Sequence, residues 1–385
     1  MDELSTEVLV VGGGTGGTAA AIQAARSGVQ TILVTEYPWL GGMLTSAGVC
    51  APDGNELAAM QTGIWGAFLR ELQQRQPQGL DHAWVSFFTY NPQVAAQIFA
   101  DWIQQLPNLQ WIVEPPPQEV LKQGERVTGV RFENFTIHAQ LIIDATELGD
   151  LLALGEIPYR WGWELQSQWG EPSAPVNYNQ LTEQYPVQAP TWVVLLQDFG
   201  VVEAPVIPSI PQANLNQFMG TWEGYSPEQF LNYGRLPADL LMINWPQKGN
   251  DYGQGLERLI QSQHSRIEFL QEARWHSQNF AQFIQMQLGR RYGLAADSFP
   301  ILPGSPGGGA YALHPYYRES RRLQGLVTVV EQDILPVSSA QAARLPSNSQ
   351  GQVEAIAIGN YANDHHYPGY EFALKAKAMR WGGRW

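Results

Sequence analysis

Between residues 7 and 36 the sequence reads EVLVVGGGTGGTAAAIQAARSGVQTILVTE. A β-branched run, a cluster of glycines, an alanine-rich stretch and a second β-branched run follow one another without interruption. Nothing else in the chain restricts the fold as tightly. A short apolar run such as Glu7–Val11, bounded by glycine, reads as a buried parallel strand. Gly12, Gly14 and Gly17 follow with the spacing G-x-G-x-x-G, and Thr15 and Gly16 stand between them. In that spacing the first glycine permits a tight turn and the second lets a pyrophosphate approach the backbone. The third lets the next helix pack closely on the strand. The helix expected over Thr18–Ser27 ends at Gly28. It would present free N–H groups and the positive end of its dipole to phosphates. Glu36 closes the second strand roughly 20 positions beyond the turn, where a carboxylate accepts from ribose hydroxyls and disfavours a 2′-phosphate. The expected fold class is α/β, with a Rossmann-like dinucleotide-binding domain. The competing reading is a tight turn without a ligand.

The same stretch does not read as a secretory signal. MDELSTE ahead of it is acidic where a signal carries positive charge, and glycines interrupt the apolar run. No run reaches the roughly 18 continuous apolar residues of a membrane span, so a cytoplasmic protein is expected. The net charge of −14 repels phosphate backbones and anionic lipid. A small molecule is therefore the expected partner, not nucleic acid or a membrane. Cys50 is the single cysteine, which excludes an intramolecular disulfide, a redox cysteine pair and a four-cysteine metal site. No metal-ligand spacing such as H-E-x-x-H occurs, and no metal is expected.

Leu40-Gly41-Gly42-Met43 follows the ribose acid, where a plain NAD domain would begin its next helix. Further on, ERVTGVRFENFTIHAQLIIDAT, residues 125 to 146, reads as two alternating strands joined by Glu133-Asn134 and leading into a third, apolar strand. These features resemble the glutathione-reductase-like FAD-binding family, which wraps its cofactor with the Gly-Gly pair. That family inserts a β-meander and returns through a strand ending in Ala-Thr and a glycine. Here the return is Asp144-Ala145-Thr146 with Gly149-Asp150. Met242-Ile243-Asn244-Trp245-Pro246, Gly249-Asn250-Asp251-Tyr252 and Tyr317-Arg318-Glu319-Ser320-Arg321-Arg322 narrow the likeness, as does Tyr361-Ala362-Asn363-Asp364-His365-His366-Tyr367-Pro368-Gly369. They resemble the branch of FAD-dependent oxidoreductases, over Glu7 to Trp385. The resemblance implies FAD as cofactor. It implies cofactor contacts at Gly12, Gly14, Thr15, Gly16, Gly17, Glu36, Gly41, Gly42, Met43, Thr45, Val120, Ala145, Thr146, Gly149 and Asp150.

Residues 1–155 are expected to form the FAD-binding domain, with 300–385 returning to it. Residues 156–299 change character, with prolines at 158, 172, 175, 186, 190, 205, 208 and 211 and several tryptophans. They read as an inserted α+β substrate domain of strands and long loops. Its helical part spans 255–289, with a break expected near His276-Ser277. His264 and His276 read as surface or packing residues. Gln93–Gln105 carries helical apolar spacing at Val94, Ile98 and Trp102.

A flavin carries the electron transfer, so the protein must bind substrate and move protons. Arg318, Arg321 and Arg322, in the block opened by His314, could clamp a carboxylate or polarise a carbonyl. The alternative is that they pair with Glu319 and other acids and hold the insertion in place. His365 and His366, beside Asp364 and Tyr367, are material for proton exchange near neutral pH. Thr45 or Ser46 could hydrogen-bond the flavin, while Cys50 reads as packing.

In relatives the chain continues past the WGGRW segment into a strand, a glycine-rich turn and a helix. This sequence ends at Trp385, so a naturally short member, half of a split protein or a truncated chain is expected. The first reading is an FAD-dependent oxidoreductase that transfers hydride between flavin and a small oxygenated organic substrate, with a homo-oligomer or a complementing chain as a further partner. The second is a C-terminally short, non-catalytic subunit that needs a partner chain. The third is an NAD-dependent dehydrogenase.

Overall fold

The N-terminal run forms strand β1, Asp2–Val11, which is longer than the expected Glu7–Val11. The computed structural model describes residues 2–54, 57–210, 213–326, 328–334, 349–352 and 365–370. The expectations on Asn363, Asp364 and residues 371–385 lie outside the described residues. After β1 come helix α1, Thr15–Arg26, and strand β2, Thr31–Thr35. Helices α2, Gly63–Arg75, and α3, Pro92–Gln104, precede strand β3, Leu109–Val113. Asn91 caps α3 by accepting from Gln93 N, with Pro92 at the first helical position. Strands β4, Glu119–Gln123, β5, Arg126–Arg131, and β6, Phe135–Asp144, follow, and the five-residue helix α4, Asp150–Leu154, closes this half.

These strands make one sheet in the order β3-β2-β1-β6-β5-β4. The β3, β2, β1 and β6 neighbours are parallel, while β4-β5 and β5-β6 are antiparallel. Alternation along β1 divides its side chains between two cores. Val8 and Val10 pack with Ala21, Ile22, Leu33 and Ile98 on the face covered by α1 and α3. Leu9 and Val11 pack with Ile32, Val34, Val130 and Ile137 on the other. Burial on both faces is why the run is continuously apolar.

The meander differs from expectation in one respect. Its corner is at Glu133-Asn134, as read, with Phe132 N donating to Phe135 O. The two strands expected beyond that corner, however, are one ten-residue strand, and the first strand of the meander lies earlier, at β4. The polar His138-Ala139-Gln140 stretch does not interrupt β6 because β1 runs alongside it from Asp2↔Phe135 to Val11↔Asp144.

A second sheet of three antiparallel strands places Val194–Asp198 between Leu240–Ile243 and Tyr292–Leu294. The 26-residue helix Gln263–Leu288, about 39 Å long, packs on it through Phe269, Ala273, Phe280 and Ile284. The helical break falls at Ser262, after a short Arg258–Gln261 helix, and not at His276-Ser277. Ser262 Oγ caps the long helix by accepting from Ser265 N. His276 and Ser277 instead bind neighbouring segments, at Gly249 O and Trp192 O. His264 is exposed and meets Glu268. An extended segment, 310–316, lies against 191–195 through Ala312 N→Val193 O and Tyr316 N→Thr191 O. Its Leu313 N donates to Ser46 O, which ties the second sheet to the glycine-turn region. Among the described residues no helix is long and apolar enough to cross a membrane.

Candidate cofactor site

Gly12 has φ +113°, and a Cβ there would lie 2.0 Å from Ala145 O. A Cβ on Gly17 would lie 2.1 Å from Gly12 O. Only hydrogen fits at either position, so the turn holds β1, α1 and the end of β6 together. Gly14 is the N-cap of α1, and no side chain caps it. The first N–H groups of a helix lack intrahelical partners, which makes this end an anion site. Gly41 and Gly42 form the wall beside it. A Cβ on Gly42 would sit 2.5 Å from Gly14 Cα. Thr15 Oγ1 donates to Gly41 O, and Gly41 N donates to Gly13 O and to Thr18 Oγ1.

A cavity opens over this turn. Val11–Gly14 form its floor, and Thr35, Glu36 and Tyr37 line it from the end of β2. Glu114–Pro117, Phe132 and Ala145–Glu147 line it from the β3, β5 and β6 ends, and Ser46 and His314 close it. Three lining side chains are acids, and among the described lining residues none is lysine or arginine. Negative charge bound here must therefore be met by backbone N–H groups and the helix end.

Glu36 is open to the cavity but ringed by protein elsewhere. Desolvation, with the charges of Asp150 and Glu147, raises its pKa to about 7 against an opposing pull from Arg266. An acid raised on folding binds more protons in the native than in the unfolded state. Its contribution to stability therefore grows as pH falls from about 7 towards the unfolded value near 4.5. In the cofactor-free protein, Glu36→Gln is expected to flatten the pH dependence of the thermal midpoint across that window.

Several residues expected to touch the cofactor are placed otherwise. Thr45 is fully buried, and its Oγ1 donates to Leu40 O behind the Gly41-Gly42 turn. The reach of the turn into the cavity falls to Ser46. Val120 is buried in the core with Val130 and Phe132, because the pleat of β4 points it there. Met43 packs at the edge of the larger core. Gly149, at φ +66°, caps α4, whereas Gly16 stays in the first turn of α1, at the end where it was expected. Thr146 does line the cavity. Its N and Oγ1 donate to Asp144 Oδ1, and its Oγ1 accepts from Asp150 N.

Asp150 is committed to protein partners. Arg266, from the long helix, donates to both of its oxygens at 2.8 and 2.7 Å, and Arg321 Nη1 donates at 2.9 Å. Burial pushes this carboxyl up, but the two guanidiniums outweigh it and hold the pKa below the ordinary value. Arg321 is correspondingly a brace and not a substrate group, because it also donates to Leu148 O and Ile260 O. Arg322 donates to Gly162 O and meets Glu164. Arg318 donates to Ala189 O and lies 3.5 Å from Asp251. All three arginines thus have protein partners, but the acids are Asp251, Asp150 and Glu164, while Glu319 accepts from Gln188.

His366 Nδ1 is 2.7 Å from Asp251 Oδ2, while the His365 ring stacks on Tyr367 at 5.8 Å. His314 faces the cavity between Tyr37 and Tyr317. Its Nδ1 lies 3.0 Å from Pro315 O and its Nε2 3.0 Å from Ser46 Oγ. The carbonyl requires Nδ1–H, and the single Ser46 hydroxyl proton faces two acceptors, His314 Nε2 at 3.0 Å and Gly42 O at 3.3 Å. Cys50 is buried, and burial pushes its thiol up, so it is a packing residue.

Sequence reasoning did not place Glu147, Tyr37, Arg266 or Asp251. Glu147 was within sight, inside the Ala-Thr…Gly return. A Cβ on Gly14 would lie 2.8 Å from its Oε1, so an acid stands beside the phosphate turn.

The strand-turn-helix, the acid closing β2 and the meander define a dinucleotide-binding α/β protein of the flavoprotein class. A family profile described as FAD dependent oxidoreductase matches residues 7–385, and the chain belongs to that family. FAD is the cofactor this membership assigns. The residues fit it: a glycine cradle that any Cβ would fill, an uncapped helix N-terminus and a carboxylate at the ribose position. Among solved structures, the chain is similar to L-proline dehydrogenase from P. horikoshii, with 12% identity and a TM-score of 0.34 over 52% of this chain and 63% of that one. It is similar to Aquifex aeolicus GidA, with 19% identity and a TM-score of 0.25 over 36% and 25%. It is also similar to p-nitrophenol 4-monooxygenase PnpA from Pseudomonas putida, with 11% identity and a TM-score of 0.35 over 63% and 67%. The chain thus spans less than two thirds of the first two of these structures. No substrate is inferred from likenesses at this level.

Proposed function

We propose that the chain catalyses hydride transfer between FAD and a small oxygenated organic substrate. The observation that carries this reading is the course of the segment from His314 to Arg318. His314 lines the cofactor cavity. Four residues on, Arg318 lies with His366 on the buried carboxylate of Asp251. One short stretch of chain thus connects the cofactor cavity with an acid, an imidazole and a guanidinium.

FAD, when bound, supplies the two-electron chemistry. The protein's part is to bind, orient and move a proton. Gly12–Gly17 and the α1 N-terminus hold the pyrophosphate, and Glu36 accepts from the adenosine ribose. Ser46 and His314 border the cavity as a hydrogen-bonded pair. Arg318 offers charge to a substrate oxygen, and His366 exchanges the substrate proton. His365, stacked on Tyr367, is the less favoured of the two histidines.

Anaerobic mixing of the purified holoprotein with a panel of small alcohols, hydroxy acids and aldehydes tests this. At least one class is expected to bleach, or after photoreduction restore, the flavin absorbance. With that compound His366→Ala should slow the step about 100-fold or more while FAD content stays unchanged. An unaltered rate would remove His366 from proton exchange. A flavin inert to the whole panel would reject the substrate class.

A further inference from the structure

Three sequence blocks that the nucleotide motifs leave without a task converge on one side chain. Asn250 closes the turn that starts at Trp245. Its Oδ1 accepts from Trp245 N at 3.0 Å, and its Nδ2 donates to Ile243 O at 2.8 Å and Trp192 O at 3.0 Å. Gly249 allows the turn to be this tight, since a Cβ there would lie 1.9 Å from Trp245 O. The next residue, Asp251, is thereby carried beside Thr191, which itself bridges to Tyr316. The arginine-rich block contributes Arg318, with Nη2 3.5 Å from Asp251 Oδ1. The histidine block contributes His366, with Nδ1 2.7 Å from Oδ2. Thr191 Oγ1 donates to Oδ1 and completes the shell.

The backbone around His366 is anchored without Asp251. His366 N donates to Gln188 Oε1 and Ala189 N donates to His366 O. Tyr185 Oη donates to Pro368 O two residues on. The carboxylate is therefore not needed to hold the segment in place, and what it acts on is the imidazole ring. Side-chain exposure rises from 3% at Asp251 through 6% at Arg318 to 11% at His366, so the imidazole is the least buried member of the cluster. A buried ion pair is in any case a weak stabilising device compared with apolar packing.

We propose that Asp251 is a positioning residue for His366, holding Nδ1 protonated so that proton exchange runs through Nε2, and setting the pH at which it runs. The proposal rests on the reading that His366 exchanges the substrate proton. A carboxylate bonded to one ring nitrogen fixes the tautomer and favours the imidazolium. Arg318 moderates that pull from the other side of the carboxylate. Among the described residues, further charged or titratable neighbours are His365 and Tyr367 in the same segment, Glu319, which accepts from Gln188, and His276 on the long helix, which senses the Asp251 charge.

The test uses the FAD-loaded full chain and two measurements. Nitrogen-15 NMR of labelled histidine reads the tautomer and pKa of His366. The midpoint potential of the bound flavin between pH 5 and 9 reads whether a titrating group is linked to flavin reduction. The expected result is a change of slope at the His366 pKa, with both values falling together by about one unit or more in Asp251→Asn. Thr191→Val leaves the carboxylate in place and removes a donor from it, so both values should move upward together. This second variant decides the matter if the first does not fold. A tautomer and pKa indifferent to both variants would overturn the proposal. An NMR shift with an unmoved potential profile would also overturn it, reducing the contact to a structural tie. A chain that holds no FAD would instead overturn the functional reading and the proposal with it.

Discussion

Gly12→Ala should give a colourless protein. The added methyl would lie 2.0 Å from Ala145 O, at a backbone φ of +113° that L-residues rarely adopt. Neither obstacle yields by side-chain rotation, because the opposing atom is backbone at the end of β6. The chain must part β1 from β6 at the turn that carries the cofactor. A cost of about 3 kcal/mol or more is expected, together with complete loss of FAD. The informative control is Gly16→Ala, four positions on. Nothing lies within 4 Å of a Cβ there, and the residue sits on helix α1. Replacing glycine inside a helix stabilises by about 0.5–1 kcal/mol, so this variant should keep its colour and melt slightly higher. The two substitutions are chemically identical and are expected to act in opposite directions. Absorbance at the flavin band and a thermal melt are sufficient to check both.

Asp150→Asn is expected to be nearly as damaging, for an electrostatic reason. The carboxylate neutralises Arg266 and Arg321, whose side chains are 23% and 4% exposed. The amide leaves two largely buried guanidiniums with one neutral acceptor between them. Breaking a buried pair by removing one partner costs about 3–5 kcal/mol. The loss should appear in urea melts as a lower midpoint. It should also loosen the docking of the long helix, because Arg266 belongs to that helix and Asp150 to the cofactor half. Arg291→Ala provides the comparison. It breaks an equally short pair with Asp198, but Arg291 is 57% exposed, so the urea midpoint should barely move.

The features legible in the sequence share a physical character: each is decided within a few residues. The strand-turn-helix from β1 to α1 is set by β-branching, glycine spacing and a helical stretch, all local. Glu36 was legible because the strand before it fixes where it points. The strand β6 was read as two pieces, an alternating strand and an apolar one. Its continuity is imposed by β1, whose pairing cannot be seen locally. The long helix was expected to break near His276-Ser277 because the span is long for one globular helix, yet hydrogen bonds from these residues to Gly249 O and Trp192 O make them anchors. The arginines were the least legible. Arg318 and Arg321 are three residues apart, but their carboxylates are Asp251 and Asp150, which only the tertiary fold brings near. Thr45 and Val120 were read at the right places along the chain. The pleat of β4 and the hydrogen bond to Leu40 O turned their side chains elsewhere.

The pairing of β1 with β6 also constrains how the chain can fold as it is made. β1 is synthesised before both of its sheet neighbours, and Leu9 and Val10 within it are wholly buried in the finished protein. Its neighbour β2 arrives soon after, across the short α1 crossover. Its other neighbour ends only at Asp144. At roughly 5–20 residues per second of synthesis, one edge of this strand stays unpaired for on the order of ten seconds. An uncovered apolar strand edge is a template for pairing with other chains. The interval before β6 is made is thus one in which β1 is exposed to such pairing.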